Sequence, residues 1–301
     1  MATIYVLGSL NMDLVCHSPR LPRPGETLIG RGFETVPGGK GGNQAVAAAR
    51  LGARTTMIGR VGDDSFGHSI LASLARAGVD TQGVTVTPEQ VTGVATILVE
   101  DGGQNQIVVV PGANGQVGAA ELETLAHGLN PGDWLLLQLE VPLTTVVAAA
   151  TLAHQRGAQV ILDPAPARAD LPVSLYPCLQ VITPNQIEAS QLTGITVVDR
   201  ATALLAAETL RQRGVETAIV TLGTDGVVVA TQTGHFHQPA LAVTAIDTVA
   251  AGDAFNGGLA VALAEGMTLK PAVGFATAVA AYAVTQLGAQ TAMPTRAQVG
   301  N

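Results

Sequence analysis

Short apolar runs alternate with Ala- and Leu-rich stretches through most of this chain, and this alternation restricts it to a few architectures. The clearest runs carry no charged residue, which is typical of strands covered on both faces of a parallel sheet, and they lie at residues 4–7, 56–58, 134–137, 159–162, 181–182 and 218–220. The stretches between them consist of good helix formers and predict helices at residues 44–51, 65–77, 144–156, 202–213 and 254–264. The pattern predicts an α/β fold with a mainly parallel central β-sheet flanked by helices.

Two regions interrupt the alternation, and both have the character of antiparallel strands. Residues 94–110 comprise two β-prone runs joined by a Gly-containing turn, which predicts a hairpin. Residues 14–36 contain three prolines and disfavour a helix. Together they predict a small β-sheet standing off the main sheet, which would close over a substrate as a lid. A surface extension that mediates oligomer contacts explains these regions equally well, and the two roles are compatible.

Charge and aromatic content make nucleic acid an unfavourable partner. The 301 residues include 15 Lys and Arg against 23 Asp and Glu, a formal charge of −8, and only 3% are aromatic, so a basic surface and stacking platforms are both lacking. No signal-peptide pattern opens the chain, and we interpret the Ala-rich tract at residues 271–285 as a buried helix too short to span a bilayer. These features predict a cytoplasmic protein without membrane association. Cys16 and Cys178 predict reduced, buried thiols.

The densest chemical signal is the segment DTVAAGDAFNGG at residues 247–258, which follows a strand-like run at residues 241–246. Ala250, Ala251 and Gly252 would present unhindered backbone N–H groups at a helix N-terminus, which favours a bound phosphate. Asp253 would then lie where a general base takes a proton from an attacking hydroxyl. A lone Asp in this place can also serve only to stabilise the start of the helix.

A second glycine cluster, PGGKGGNQ at residues 37–44, precedes another predicted helix. It is not a P-loop, because Gly41 rather than Ser or Thr follows Lys40. The glycines leave Lys40 and Asn43 in a turn that brings side-chain and backbone donors close to a polyhydroxylated ligand. Taken alone, the cluster fits a structural turn better than a binding site.

The whole chain resembles the ribokinases of the PfkB-type carbohydrate kinase family. Ten short motifs occur in the family's order: GSLNMD (8–13), GGKGGNQA (38–45), GDDSFG (62–67), PGAN (111–114), QLE (138–140), DPAPAR (163–168), TPNQIEA (183–189), TLGTDG (221–226), DTVAAGD (247–253) and GAQ (288–290). The resemblance implies one ribokinase-like domain over residues 1–301, with a β-lid formed by residues 14–36 and 94–110. It further implies ATP-dependent phosphorylation of a sugar hydroxyl, which in ribokinases converts D-ribose to D-ribose 5-phosphate.

The resemblance also implies a set of site residues. Those for the sugar are Asn11, Asp13, Gly39, Lys40, Gly41, Gly42, Asn43, Glu140 and the base Asp253, with Ala250, Ala251 and Gly252 as the anion hole. Those for ATP are Asn185, Thr221, Leu222, Gly223, Thr224, Asp225, Gly226, Gly252 and Thr277. Mg²⁺ would be held near Asn185 and Glu188, through water molecules. An activating K⁺ would be held by Asp247, Val249, Ala283, Gln286, Gly288 and Ala292, mostly through backbone carbonyls.

Three departures from the family pattern concern nucleotide preference and affinity. Gln186 stands where relatives often have Glu, Asp163 where a common version has Asn, and Thr277 where Asn or His is often met near adenine.

The alternatives to a ribokinase are a kinase of the same family acting on deoxyribose, a ketose or a nucleoside, and a non-catalytic regulator that binds sugar or nucleotide. A nicotinamide-dependent oxidoreductase lacks its fingerprint after the first strand. Exposed edges of the lid sheet favour a homodimer.

Overall fold

The computed structural model describes residues 2–300 of the chain. Within them the strands, in chain order, are β1 (Ile4–Leu7), β2 (Asn11–Ser18), β3 (Gly32–Gly38), β4 (Thr55–Gly62), β5 (Asp80–Thr87), β6 (Gly93–Glu100), β7 (Asn105–Val110), β8 (Trp134–Leu137), β9 (Gln159–Leu162), β10 (Val181–Ile182), β11 (Thr217–Thr221), β12 (Val227–Thr231) and β13 (Gly234–Gln238). The α-helices of the same residues are α1 (Lys40–Arg50), α2 (Ser65–Arg76), α3 (Ala119–Gly128), α4 (Leu143–Gln155), α5 (Gln186–Thr193), α6 (Arg200–Gln212), α7 (Ala251–Ala264), α8 (Leu269–Ala283) and α9 (Arg296–Val299).

Nine strands form the central sheet, in the order β13-β12-β11-β10-β9-β8-β1-β4-β5. All neighbouring pairs are parallel except β11–β12 and β12–β13, which form an antiparallel extension at one edge. This confirms the predicted mainly parallel sheet and each of the six apolar strands. The predicted helices are also confirmed, with ends that differ by up to four residues. The tract at residues 271–285 is helical as far as Ala283, in α8, but this helix is buried on one face rather than all round.

Two apolar layers cover the two faces of this sheet. Alternate residues of β8 point to opposite layers, with Leu135 and Leu137 in one and Trp134 and Leu136 in the other. Helices α3 to α6 contribute to the first layer, and α1, α2, α7 and α8 to the second. Helices α1 and α7 can approach closely because Gly257 has no side chain. A Cβ added there would lie 2.5 Å from the Cβ of Ala47, too close for any other residue to fit without a shift. This close approach sets the distance between the two glycine-rich segments that open these helices.

Four strands form the small sheet, in the order β3-β2-β6-β7. The predicted hairpin is present as β6 and β7, and the predicted region at residues 14–36 contributes most of β2 and β3. The expectation of purely antiparallel pairing is wrong for the centre of the sheet, where β2 and β6 run parallel. The reason is that β2 and β6 do not form a hairpin with each other: each is hairpinned to its own outer strand.

Two smaller expectations also fail. Residues 241–246 form no strand; they lie exposed, and the Ile246 N–H donates to the Val284 carbonyl at 2.7 Å instead of to a neighbouring strand. The sheet ends at β13, and these residues do not pair with its outer edge. Cys16 and Cys178 are free thiols, as expected, but both are only partly buried.

Among residues 2–300, no helix is long and apolar enough to cross a membrane.

Candidate active site

The carboxyl ends of the central strands lie level with one another. Leu7, Leu137, Leu162 and Ile182 are aligned across β1, β8, β9 and β10 by the parallel register. Polar residues follow directly: Gln138 after β8, Asp163 after β9 and Thr183 after β10. Because ligands of parallel α/β sheets bind beyond this edge, these buried polar side chains mark where a site can be built.

The first glycine-rich segment wraps against the turn that follows β1. Gly39 has a φ of +83°, and a Cβ there would lie 2.7 Å from the Asn11 nitrogen. A Cβ at Gly41 would meet the Ser9 nitrogen at 2.7 Å. The Glu140 carboxylate holds the segment from the other side, since it accepts hydrogen bonds from the Lys40 N–H at 3.2 Å and the Ser9 hydroxyl at 2.5 Å. Glycine is therefore required at both positions because any side chain would collide with the backbone of the turn after β1. These contacts fix the segment at the start of α1.

The second glycine-rich segment opens α7. Ala250 precedes the helix in the left-handed conformation, with a φ of +58° and no side-chain cap on the first turn. The first N–H groups of a helix have no intrahelical acceptor, although that of Ala251 makes a long hydrogen bond, 3.3 Å, to the Thr248 carbonyl. A Cβ added at Gly252 would find no atom within 4 Å. This helix start therefore offers donors and open space together.

A cavity of about 270 Å³ joins these parts. It is lined by residues of the sheet edge, of the start of α5 and of both glycine-rich segments: Lys40, Asp163, Ala165, Thr183, Asn185, Glu188, Thr221, Thr248, Ala250, Ala251, Gly252, Asp253, Phe255 and Asn256. The cavity thus brings together residues assigned from the sequence to the base, the anion hole, the sugar, the nucleotide and Mg²⁺. The lining residues without a role predicted from the sequence are Asp163, Ala165, Thr183, Thr248, Phe255 and Asn256.

Asp253 lies in the first turn of α7 and is 5% exposed. One carboxylate oxygen accepts a hydrogen bond from the Asn43 amide at 2.9 Å, and the other accepts one from the Gln44 amide at 3.1 Å. Burial raises the pKa of Asp253, although Lys40 and the two amide donors oppose the shift. A base with a raised pKa that is still held in its ionised form is suited to accepting a proton from a hydroxyl.

Asp13 lies near the start of β2, a central strand of the small sheet. Its carboxylate extends across Gly38, where a Cβ would lie 2.3 Å from the Asp13 Oδ2 atom. The neighbouring Asn11 is buried and accepts a hydrogen bond from the Asn114 amide at 2.8 Å. Burial, with Glu140 and Asp253 adding repulsion, raises the pKa of Asp13 to about 7. None of Asn11, Asp13 and Glu140 lines the cavity described above.

Lys40 supplies positive charge among these carboxylates. Burial opposes its charge, but Asp163, Asp253, Glu140 and Glu188 outweigh that effect and raise the pKa of Lys40. Among residues 2–300 its ammonium group has no carboxylate oxygen within 4.0 Å. The side chain lines the cavity together with Asn185 and Glu188, so it faces the nucleotide side as well as the sugar side.

Asn185 and Glu188 form a capping box at the start of α5. The Asn185 side chain accepts from the Glu188 N–H at 2.9 Å, and the Glu188 carboxylate accepts from the Asn185 N–H at 2.8 Å. Burial raises the pKa of Glu188. Both side chains line the cavity but are occupied by these hydrogen bonds, an arrangement that suits Mg²⁺ held through water rather than directly.

The other residues assigned to ATP are distributed unevenly. Thr221, which bridges to Asn185, lines the cavity; Leu222, Gly223, Thr224, Asp225 and Gly226 form the turn that follows it, away from the cavity lining. Thr277 lies buried inside α8, where its hydroxyl donates to the Val273 carbonyl at 2.8 Å. The structure does not bring Thr277 to the cavity.

The residues assigned to K⁺ lie on two segments that Asp247 joins. One of its carboxylate oxygens accepts from the Val249 N–H at 2.9 Å, and the other accepts from the Gly288 N–H at 3.0 Å. Ala283, Gln286 and Ala292 belong to the end of α8 and the turns after it. Among residues 2–300, no group of three His, Cys, Asp or Glu side chains is placed to hold a metal, so backbone carbonyls would supply most ligands of this cation.

Several polar residues of the site were missed by reasoning from the sequence. Gln44 donates to the carboxylates of both Asp163 and Asp253 and accepts from the Gln138 amide at 2.7 Å. Asn256 accepts from the Thr183 hydroxyl at 2.7 Å and donates to the Gly252 carbonyl at 3.0 Å. Their signal in the sequence is a polar residue directly after a buried strand, or on the buried face of a helix that opens with glycine.

Comparison with known proteins agrees with this geometry. The family model "pfkB family carbohydrate kinase" matches residues 1–296. A ribokinase of Haemophilus influenzae is 42% identical over 294 residues, covering 98% of this chain and 96% of that protein. A deoxyribokinase of Salmonella typhi is 37% identical and covers 97% of this chain and 95% of that protein. The solved structure of Arabidopsis thaliana ribokinase complexed with ribose and ATP is 32% identical, with a TM-score of 0.91 over 99% of this chain and 98% of that one.

These matches, together with the fold and the site, define a sugar-phosphorylating enzyme class: a phosphotransferase with an alcohol group as acceptor. The chain belongs to the pfkB family of carbohydrate kinases. Within that family, its sequence and fold are similar to those of ribokinases from a bacterium and a plant. The expected ribokinase-like fold is therefore confirmed.

Proposed function

We propose that this protein transfers the γ-phosphoryl group of ATP to the primary hydroxyl of D-ribose and releases D-ribose 5-phosphate. The observation that carries the proposal is the position of Asp253. Its buried carboxylate lies in the first turn of α7, on the same cavity as the open helix start, Lys40 and Glu188. The similarity to a ribokinase complexed with ribose and ATP supports the choice of both substrates.

In the proposed reaction, Asp253 accepts the proton of the sugar hydroxyl as its oxygen attacks the γ-phosphorus. Asn43 and Gln44 hold the two oxygens of that carboxylate, so its direction is set before the substrate arrives. The N–H groups at residues 250–252 donate to the equatorial oxygens of the phosphoryl group, where negative charge develops. The free ammonium group of Lys40 lies on the same cavity and compensates further charge.

The sugar contacts divide between two elements. Asn11 and Asp13 on β2 and residues 39–43 at the start of α1 supply carboxylate, amide and backbone groups that bind vicinal hydroxyls. Because β2 continues into the small sheet, we propose that residues 14–36 and 94–110 act as a lid that closes when the sugar binds. Closure would exclude water, the competing acceptor of the phosphoryl group.

Two cations complete the proposal. Asn185 and Glu188 would hold Mg²⁺ through water, and the ion would supply positive charge to the phosphate groups of the nucleotide. K⁺ would be held by Asp247 and by carbonyls of Val249, Ala283, Gln286, Gly288 and Ala292. Asp247 hydrogen-bonds to both Val249 and Gly288 and so joins the two segments that carry these residues. Bound K⁺ would therefore stiffen the loop that leads into the anion hole. The nucleotide base would lie along residues 221–226 and towards Thr277.

The direct test is sugar-dependent release of ADP by the purified protein with Mg·ATP in a buffer that contains K⁺. D-ribose, 2-deoxy-D-ribose, a ketose and a nucleoside are compared with a control that lacks sugar. We expect the highest kcat/KM with D-ribose and a product phosphorylated at the 5-position. The absence of sugar-dependent ADP release with every acceptor would contradict the proposal and favour a non-catalytic binding protein.

A preference for 2-deoxy-D-ribose is the second candidate, and one observation favours it. A deoxyribokinase is 37% identical to this chain over nearly the whole length of both proteins. The 2-hydroxyl is the only group that distinguishes the two sugars, so a ratio of kcat/KM values below one for ribose over deoxyribose would select this candidate.

We also propose that the protein forms a homodimer through the small sheet. Strand β7 is exposed along its whole length, and Ile107, Val108, Val109 and Val110 are 45–66% exposed. Phe33 on the opposite edge strand, β3, is 65% exposed. An apolar sheet with two open edges is stabilised by pairing with a second copy of itself.

A further inference from the structure

We propose that Asp163 and Gln44 are positioning residues for phosphoryl transfer, and that Gln44 couples the buried carboxylates of Asp163 and Asp253 so that the charge of Asp163 strengthens Asp253 as a base. The inference rests on the proposed role of Asp253. It assigns a function to a carboxylate that the mechanism above does not use.

The geometry of Gln44 is what links the two acids. Its side-chain nitrogen lies 2.9 Å from the Asp163 Oδ2 atom and 3.1 Å from the Asp253 Oδ1 atom. An amide nitrogen carries two hydrogens, so one is available to each carboxylate. The Gln44 oxygen accepts from the Gln138 amide at 2.7 Å. The opposite orientation would point that oxygen at two carboxylates, so electrostatics fixes the amide as observed.

The environment gives the two acids different affinities for a proton. Asp253 accepts from two amides, those of Asn43 and Gln44, and it lies at the positive end of α7. Among residues 2–300, Gln44 is the only side chain that donates to the Asp163 carboxylate. Burial raises the pKa of both acids, and that of Asp163 is raised well above its ordinary value despite Lys40. As the pH falls, Asp163 therefore takes the first proton and Asp253 the second.

Other charged groups near the pair enter this balance. Among residues 2–300, Lys40 is the cation that acts on both acids. Glu140, in the turn after β8, adds negative charge to both acids, Glu188 at the start of α5 adds it to Asp163, and Asp13 on β2 interacts with Asp253. While Asp163 is ionised, its repulsion makes Asp253 hold a proton more tightly, which is the property of a stronger base. Once Asp163 is protonated, Asp253 remains ionised but is a weaker base, and turnover falls.

Two substitutions test the coupling because they move the pH profile in opposite directions. Asp163→Asn removes the charge and keeps an oxygen that accepts from Gln44. We expect kcat to fall about 3- to 10-fold at pH values above the acidic limb of the kcat profile, and the midpoint of that limb to move to lower pH by about one unit. Gln44→Met keeps the volume and removes a donor that stabilises ionised Asp253, so we expect the acidic limb to move to higher pH.

Asp133→Asn is the matched control. Asp133 is 6% exposed, as is Asp163, but it lies at the other end of the sheet, where it accepts from the Thr3 and Asn130 N–H groups. We expect this variant to lose stability without any shift of the pH profile. A purely structural role for Asp163 would make the two Asp→Asn variants alike.

The outcomes separate this inference from the proposed function. Three results would overturn the coupling and leave Asp253 as the base. They are an unshifted acidic limb in Asp163→Asn, a shift of both site variants in the same direction, and an equal shift in Asp133→Asn. Near-normal turnover of Asp253→Asn overturns the base itself. If Asp163→Asn does not fold, the direction of the shift in Gln44→Met decides alone.

Discussion

The two sheets of this protein differ in what covers them. Strand β8 of the central sheet is buried at every residue, between two layers of helices, whereas β7 of the small sheet is exposed at every residue. A sheet that buries both faces gains its stability from its own chain and can hold side chains in one geometry. A sheet with an exposed apolar strand can gain further stability when a ligand or a second copy covers it. The difference is consistent with our proposals of chemistry at the edge of the first sheet and of closure or assembly for the second.

The comparison predicts that substitutions at the edge of the central sheet reduce kcat, whereas substitutions on the small sheet change KM or assembly. The largest effect should come from Asp253→Asn. Loss of the general base should lower kcat about 10²- to 10⁴-fold, with little change in nucleotide affinity or melting temperature. Near-normal turnover would contradict the assignment of chemistry to this edge. Steady-state kinetics measures kcat, calorimetric titration measures the affinity for ATP, and thermal denaturation measures the melting temperature.

Asp13, at the boundary of the two sheets, should affect sugar affinity instead. Only ionised Asp13 accepts hydrogen bonds with both oxygens, and its pKa is raised to about 7, so KM for D-ribose should rise about tenfold per pH unit below that value. Asp13→Asn should raise KM about 10- to 100-fold and remove this pH dependence. An unchanged pH dependence of KM in the variant would exclude Asp13 as its source.

Gly252→Ala tests whether the open space at the start of α7 is used. The added Cβ meets no atom of the protein, so we expect stability to be equal or higher by about 0.5–1 kcal/mol. A methyl group in the proposed phosphate position should nevertheless lower kcat about tenfold. Gly274→Ala is the control, because this glycine of α8 also has room for a Cβ. Equal kcat in both variants would mean that no phosphoryl group binds there.

The smallest effect on turnover should come from the outer strand of the small sheet. Val108→Glu places a charge on β7, where Val108 is 66% exposed, and we expect it to convert dimers to monomers with kcat nearly unchanged. Leu205→Glu is the control, because Leu205 is also exposed, at 54%, but lies on α6 beside the central sheet. Sedimentation velocity measures the mass. A monomeric unsubstituted protein, or dissociation of both variants, would refute pairing through the small sheet.

The sequence predicts those elements of the fold whose burial leaves a pattern of apolar residues. The six apolar strands and their helices were predicted because strands covered on both faces lose all charge. The run at residues 241–246 was apolar too, but it lies exposed and hydrogen-bonds to the turn after α8. Local composition does not show which strand edge is free, so tertiary topology decided that case.

The candidate site divides in the same way. Asp253, Lys40 and Asn43 stand in glycine-rich segments whose backbone must approach something closely, and that requirement is visible in the sequence. Gln44 and Asp163 were not assigned a role because a polar residue on a helix face, or directly after a buried strand, does not by itself indicate its partner. Their function arises from the level ends of β8 and β9 and from the close packing of α1 on α7, both of which depend on residues far apart in the chain.

Strand β2 begins beside the cavity with Asn11 and Asp13 and continues to Ser18 within the exposed sheet. If the proposed lid and sugar site are right, one strand carries the sugar contact at one end and the cover at the other. Under that proposal, a molecule too small to reach Asp13, water above all, would leave the cover open and the attacking position unshielded. Selectivity for the sugar and suppression of ATP hydrolysis would then depend on the same strand, and a change that weakens one should weaken the other.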